Sequence, residues 1–378
     1  MTAAEKILQK ALVASKIDSS QWNSIQAGLR DRAFFSSQVA QANILQGLRQ
    51  MAADRANGVS ASDAREAMRE ALKRLGHETP QELQGTIKDL YSKSRLDVII
   101  KTNVAQARGF IDWMEANSPG AYAAFPAQEF LRVKAVKNPR GDWPKRWQKA
   151  GGKIFPGGRM IALKDDPVWV KLSVFGNPFP PFDWGSGMGL EDIGRKEAIK
   201  LGLIDDKKLS KRVAEKRNAK PVGFNGNLQA ELPMKDDSPE AAKLKDIFGD
   251  LVKFDGNTAH WQGELIKDSI RGKIKKTSLG IGFDGRKTSI SSNFFREHLN
   301  KHFGDNEKAG ELLPLNEGDY ELLPSIWRNP DRVIKSGKRD ILELEAFDGG
   351  ILRLVVDPDS GIRSFHKLKA ARSTGVGS

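Results

Sequence analysis

Through the first hundred or so residues, apolar side chains recur every three to four positions, the spacing of helices that bury one face. Ile7, Leu8, Leu12 and Val13 predict one over 4–16. Trp22, Ile25 and Leu29 predict a second, with Asp18 or Ser19 as its cap. The pattern repeats over 38–53 and 62–75. In the latter, Asp63 and Glu66 sit near the start and Lys73 and Arg74 near the end, as the helix dipole favours. Pro80 suits the first turn of another helix, which leads into one over 96–114. Residues 1–115 are therefore expected to form a helical scaffold without a catalytic constellation.

The period then changes. Residues 129–134 and 168–172 alternate in the manner of strands. Between them lies a basic, tryptophan-containing stretch. Arg132, Lys134, Lys137, Arg140, Lys145, Arg146, Lys149 and Lys153 are interleaved with Trp143 and Trp147. That composition fits phosphate contact and base stacking, and equally an Arg- and Trp-rich protein interface. Arg132, Lys134, Arg140, Trp143, Arg146 and Trp147 are the candidate contacts of either kind. The glycine pairs at 151–152 and 157–158 read as turns, and no Walker A loop or Rossmann fingerprint occurs, so no cofactor is expected.

Residues 175–184 are unlike the rest of the chain. Pro178, Pro180 and Pro181 fix φ and remove backbone donors, which excludes a helix interior or a central strand. Phe175, Phe179, Phe182 and Trp184 are too apolar for a solvated linker. The segment is either a buried cross-connection or an assembly anchor built on Phe179, Pro180, Pro181, Phe182 and Trp184. A helix over 191–203 is expected next, then a linker over 206–240 rich in charge and turn formers.

Helices are predicted again over 239–252, 257–271 and 294–303, with one over 317–328 broken by Pro324. Four strands follow, over 332–335, 340–347, 351–357 and 361–368. Their connections, Lys-Ser-Gly-Lys, Asp-Gly-Gly and Pro-Asp-Ser-Gly, have hairpin-turn chemistry. The expected fold is multidomain α+β. It comprises a helical N-terminal region (1–115), a mixed α+β middle module (116–205), a linker, and C-terminal helices with a four-stranded antiparallel sheet (241–378).

Composition sharpens this picture in two ways. The chain has no cysteine, which excludes disulfides and cysteine-based zinc sites. It also has no apolar run long enough for a membrane span, and its first residues lack the apolar core of a signal peptide. The net charge of +13 is unevenly spread. Residues 101–245 hold 26 basic and 17 acidic side chains, against 14 and 11 in residues 1–100 and 21 and 20 in the remainder. The basic excess thus flanks the proline-rich segment and invites an anionic partner.

The candidate chemistry lies near the C-terminus. His298 and His302 are four apart and share a helix face, but no glutamate in the His-Leu-Asn-Lys-His segment supplies a metalloprotease base, and no metal site is expected. His366 shares a strand face with Ser364. Histidine serves as acid or base near neutral pH, and a phosphoryl-transfer site also needs cations. Arg328, Arg332, Lys335, Arg353, Arg363 and Lys367 are near enough in sequence to supply them. His298, His302, Ser364, His366 and Arg332 are the candidate catalytic residues of a metal-independent ribonuclease.

The stretch MIALKDDPVW…FGNPFPPFDWGSGMGLEDIGRKEAIKLGL resembles the head-morphogenesis (minor head, Mu F-like) proteins of tailed bacteriophages. The likeness rests on Pro178–Phe182, Ser186–Gly189 and Arg195–Glu197 and covers about residues 95–205. The block HLNKHF…LLPSIWRNPDRVI…GIRSFHKL is similar to the phage-encoded barnase/EndoU/colicin/RelE-like nuclease domains. The positions it transfers are His298, His302, Pro330, Asp331, Ser364 and Phe365. The resemblance implies a virion protein made in the bacterial cytoplasm and held inside the capsid near the portal. Portal, capsid or scaffold proteins would be its partners, with packaged DNA or host RNA as a nucleic-acid partner. Two alternatives stand beside this reading: a nuclease effector carried in the virion, and a non-catalytic DNA- or protein-binding module of the same fold.

Overall fold

Helix Ala42–Ala56 is the hub of the N-terminal region. The computed structural model describes residues 1–25, 27–218, 231–233, 235–261, 276–281, 287–291, 294, 312–357 and 361–369. Helices Ala3–Leu8, Ala61–Arg74 and Lys93–Ala116 pack around the hub, burying Ile7, Leu45, Leu48, Met68, Leu72, Leu96 and Ile100 together. Ser60 and Ser92 cap the second and third of these through their side chains. The first helix stops at Leu8 instead of running to residue 16. Ala11 and Val13 are buried on alternate positions, and Ala11–Leu12 pairs in parallel with Ala33–Phe34. Asp18 caps a short helix, Ser19–Asn23, through a capping box. After Pro80 only one turn of 3-10 helix forms, at Gln81–Leu83.

The middle module is a four-stranded antiparallel sheet in the order Ile154–Phe155, Arg159–Leu163, Ala127–Arg132, Met188–Ile193. Three segments here depart from what their sequence predicts. Val168–Leu172 is helical, because Asp166 accepts from the Val168 amide at 2.8 Å and Val168, Trp169 and Leu172 then fall on one buried face. Residues 188–193 form a strand paired with Ala127–Arg132, which leaves only Arg195–Lys200 for the helix predicted over 191–203. Asp206–Asn218 is a helix within the predicted linker, with Leu209 and Val213 packed against Tyr122, Ile161 and Ala198.

Helix Pro239–Phe248 forms but stops short of the predicted 252, where strand Val252–Asp255 begins, and 258–261 is a strand in the same small three-stranded sheet instead of a helix. The predicted helix over 294–303 lies outside the described residues apart from Phe294. Pro324 splits the next helix into Glu317–Glu321 and Leu323–Arg328. The predicted meander is present as Arg332–Ser336, Arg339–Glu345, Gly350–Asp357 and Gly361–Lys369. A fifth, two-residue strand, Leu312–Leu313, pairs at the edge with Gly361–Lys369. One face of this sheet buries Leu342, Leu344, Leu352, Leu354 and Phe365 against Leu323, Ile326 and Trp327.

The C-terminal segments share cores with the N-terminal region. Leu244, Ile247 and Phe248 pack with Val13, Ile25 and Leu29. The turn after Glu345 seats the Phe347 ring on Gly47, where a Cβ would lie 2.1 Å from the ring. Asn43 Nδ2 donates to the Glu345 carbonyl and Gln46 Nε2 to the Gly318 carbonyl, each at 2.8 Å. Arg49 pairs with Glu321 alongside.

Candidate functional site

Strand register brings four charged or titratable side chains into one row on the C-terminal sheet. Arg332 is directly opposite Glu343, Glu343 opposite Arg353, and Arg353 opposite His366. Directly paired residues of an antiparallel ladder share a face, so all four project on the side away from the Leu342–Leu354–Phe365 core. Arg353 donates through Nε and Nη2 to Glu343 Oε1, at 2.8 and 2.6 Å. The Glu343 side chain is largely buried, at 8% exposure, while that of Arg353 is 36% exposed. Ser364 is on the same face, one row away, opposite Val355. Adjacent strands are about 5 Å apart, so Glu343 and His366 flank Arg353 with about 10 Å between their backbones. A phosphodiester over Arg353 would meet a carboxylate on one side and an imidazole on the other.

Of the predicted catalytic residues, Arg332, Ser364 and His366 are brought to this face. His298 and His302 lie outside the described residues. Lys367 is not a surface cation. It points into the opposite, buried face and pairs with Asp319 at 2.9 Å and Asp348 at 2.5 Å. Burial pulls its ammonium pKa down, but the two carboxylates outweigh that and leave it raised. Glu343 was not singled out in the sequence. Its signal was present: a glutamate inside the apolar run Ile341–Leu344, level with the lone arginine of the next strand.

The basic stretch of the middle module splits by helix face. In helix Trp143–Lys149 the tryptophans sit four residues apart and point inward, at 2% and 0% exposure. Trp147 packs against Phe130 and Trp169, and its Nε1 donates to the Lys153 carbonyl at 2.8 Å. Neither ring can stack on a base or a partner. Arg140 and Arg146 converge on Asp183 at 2.9 and 2.7 Å, and Arg132 donates to the Ser186 carbonyl at 2.8 Å. These three arginines tie the stretch to the aromatic segment. Lys134, Lys137, Lys145, Lys149 and Lys153 remain exposed, with no ion pair among the described residues.

The aromatic segment is a buried cross-connection. Phe179 packs on Phe110 and Trp113 of the long helix, while Phe182 enters the core of Phe130 and Trp169. The Pro180–Pro181 bond between them is cis. Phe179 and Phe182 are therefore closed to a partner, and of the proposed anchor only Trp184, 44% exposed, has its ring open to solvent.

No family model, curated protein or solved structure matches this chain. Among the described residues, no helix is long and apolar enough to cross a membrane, and no cluster of three or more His, Asp or Glu side chains is placed to hold a metal ion.

Proposed function

We propose that this chain is a structural head protein of a tailed bacteriophage whose C-terminal sheet carries a nuclease-like site. The observation that carries the nuclease half is the Arg332–Glu343–Arg353–His366 row. On RNA, the Glu343 carboxylate takes the 2′-hydroxyl proton. The 2′ oxygen then bonds to phosphorus as the bond to the 5′ oxygen breaks, and protonated His366 gives that leaving oxygen its proton. Arg353 and Arg332 offset the negative charge that builds on the phosphorane oxygens.

The test is cleavage of single-stranded RNA by the full chain and by Glu343→Gln and His366→Asn variants. Each substitution removes one proton-transfer group, and each is expected to slow cleavage by about 10²- to 10⁴-fold. Equal rates in all three proteins would overturn the site and leave Glu343–Arg353 as a structural ion pair.

The head-protein half is supported by the resemblance over about residues 95–205 and by the five exposed lysines within that span. Portal, capsid or scaffold proteins are its proposed partners, inside the virion and near the portal. Quantifying this chain in purified procapsids and in portal pull-downs tests it. A fixed low copy number is the expected result, and absence from both would refute the assignment.

A further inference from the structure

A cavity of about 120 Å³ opens where three distant parts of the chain meet. Its walls come from residues 10–37, from the long helix Lys93–Ala116, and from the aromatic segment through Phe175, Asn177 and Trp184. Nothing in the proposed nuclease row touches it.

The charge around this cavity is unbalanced. Lys10, Arg30 and Arg95 line it, with Asp31 as the one carboxylate among its lining residues. Asp31 is already engaged by Lys6 at 3.2 Å and faces Lys10 at 3.9 Å. Arg95 forms no ion pair among the described residues. Its Nη2 donates to Ser36 Oγ at 2.8 Å and to the Ser37 carbonyl at 2.9 Å, which holds the guanidinium in place, and its buried Nε has no hydrogen-bond partner. Asn177, on the wall contributed by the aromatic segment, is 2% exposed. A fixed guanidinium with no carboxylate partner among the described residues, beside two further cations, leaves the lining net positive and points to an absent anion.

We propose that this cavity binds a phosphate group, with Arg95 as its main charged donor and Arg30, Lys10 and Asn177 completing the shell. Size favours a tetrahedral oxyanion, because drug-sized ligands occupy about 300–1,000 Å³. A guanidinium is the side chain best shaped for phosphate. Binding joins the N-terminal segment, the long helix and the aromatic segment through one anion, so it stabilises the junction between them. The phosphate is either a free ion or the terminal group of a nucleic-acid strand.

Calorimetric titration and thermal melting of the full chain with sodium phosphate, at ionic strength held constant with sodium chloride, test the proposal. Saturable heat and a rising Tm are expected in the wild type. Arg95→Gln removes the charged donor and is expected to weaken binding about tenfold or more. Because Arg95 also ties down Ser36 and Ser37, Val98→Glu is the second variant. Val98 is 39% exposed at the cavity wall, so the new carboxylate repels the anion without disturbing a core. Phosphate heat no larger than that of added chloride, or unchanged affinity in the Val98→Glu protein, would overturn the site. A 5′-phosphorylated oligonucleotide that displaces inorganic phosphate, when its unphosphorylated counterpart does not, identifies a strand end as the ligand. Failure of both to displace it identifies the free ion.

Discussion

Gly109 lies directly beneath Pro180: a Cβ at Gly109 would stand 2.0 Å from the Pro180 carbonyl oxygen and 3.3 Å from the Phe179 ring. The long helix thus accepts the aromatic segment only because this position has no side chain. Alanine would gain about 1 kcal/mol of helix propensity over glycine. The clash is with backbone, however, and overpacking of this kind costs about 1–3 kcal/mol or more. Gly109→Ala is therefore expected to lower stability in urea denaturation, with the net sign set by Pro180. A variant as stable as the parent would show that the segment is not locked at this point.

The exposed lysines of the middle module are free for an anionic partner, whereas the tryptophans behind them are structural. Replacing Lys145, Lys149 and Lys153 together by glutamate is expected to leave the Tm nearly unchanged, as surface changes usually do. It should abolish low-salt binding to duplex DNA. With five lysines each meeting a phosphate, the wild-type log–log salt slope would be about −4 to −5. Trp147→Ala, in contrast, should cost about 3–5 kcal/mol of stability. Equal DNA affinity for the wild type and the triple variant would remove this surface as a nucleic-acid contact.

Lys6 is buried at 1% exposure, and burial lowers its pKa from 10.5 to about 7, with Asp31 only partly opposing the shift and Lys10 and Arg32 adding to it. Between pH 7 and 10.5 the unfolded chain holds a proton that the folded chain has shed. Stability contributed at this site therefore rises with pH across that window, and below pH 7 the full cost of the buried charge is felt. Lys6→Met is expected to flatten the difference in denaturation free energy over this range. A slope identical to wild type would place the titration elsewhere.

Lys367 and Asp319 form an ion pair on the buried face of the C-terminal sheet, with side-chain exposures of 3% and 4%. Removing one partner of such a pair costs about 3–5 kcal/mol, because the other charge is left stranded. Lys367→Met alone should be strongly destabilising, and adding Asp319→Asn should recover much of the loss. A double-mutant cycle measured by chemical denaturation checks the coupling.

Local signals wrote most of the elements. The cap at Asp18, the break at Pro324 and the first two hairpin turns of the meander, at 337–338 and 347–349, all act within a few residues, and the structure follows them. Errors arose where local preference was ambiguous. The two valines of Val168–Leu172 favour a strand, yet the Asp166–Pro167 start and a one-sided apolar face make it a helix. In the same way, the basic stretch advertised its tryptophans and lysines together, although a helical period of 3.6 sends Trp143 and Trp147 inward and Lys145 and Lys149 outward.

By itself, then, the sequence determined the α+β class, the meander and the placing of Ser364 and His366 on one strand face. Tertiary structure alone decided that Glu343 stands between two arginines, that Lys367 faces the core, and that Phe347 closes on Gly47 some 300 residues away. Propensity and turn chemistry act over a few residues. Cross-strand register and close approach of backbones depend on which surfaces bury each other, and that is settled only when the whole chain packs.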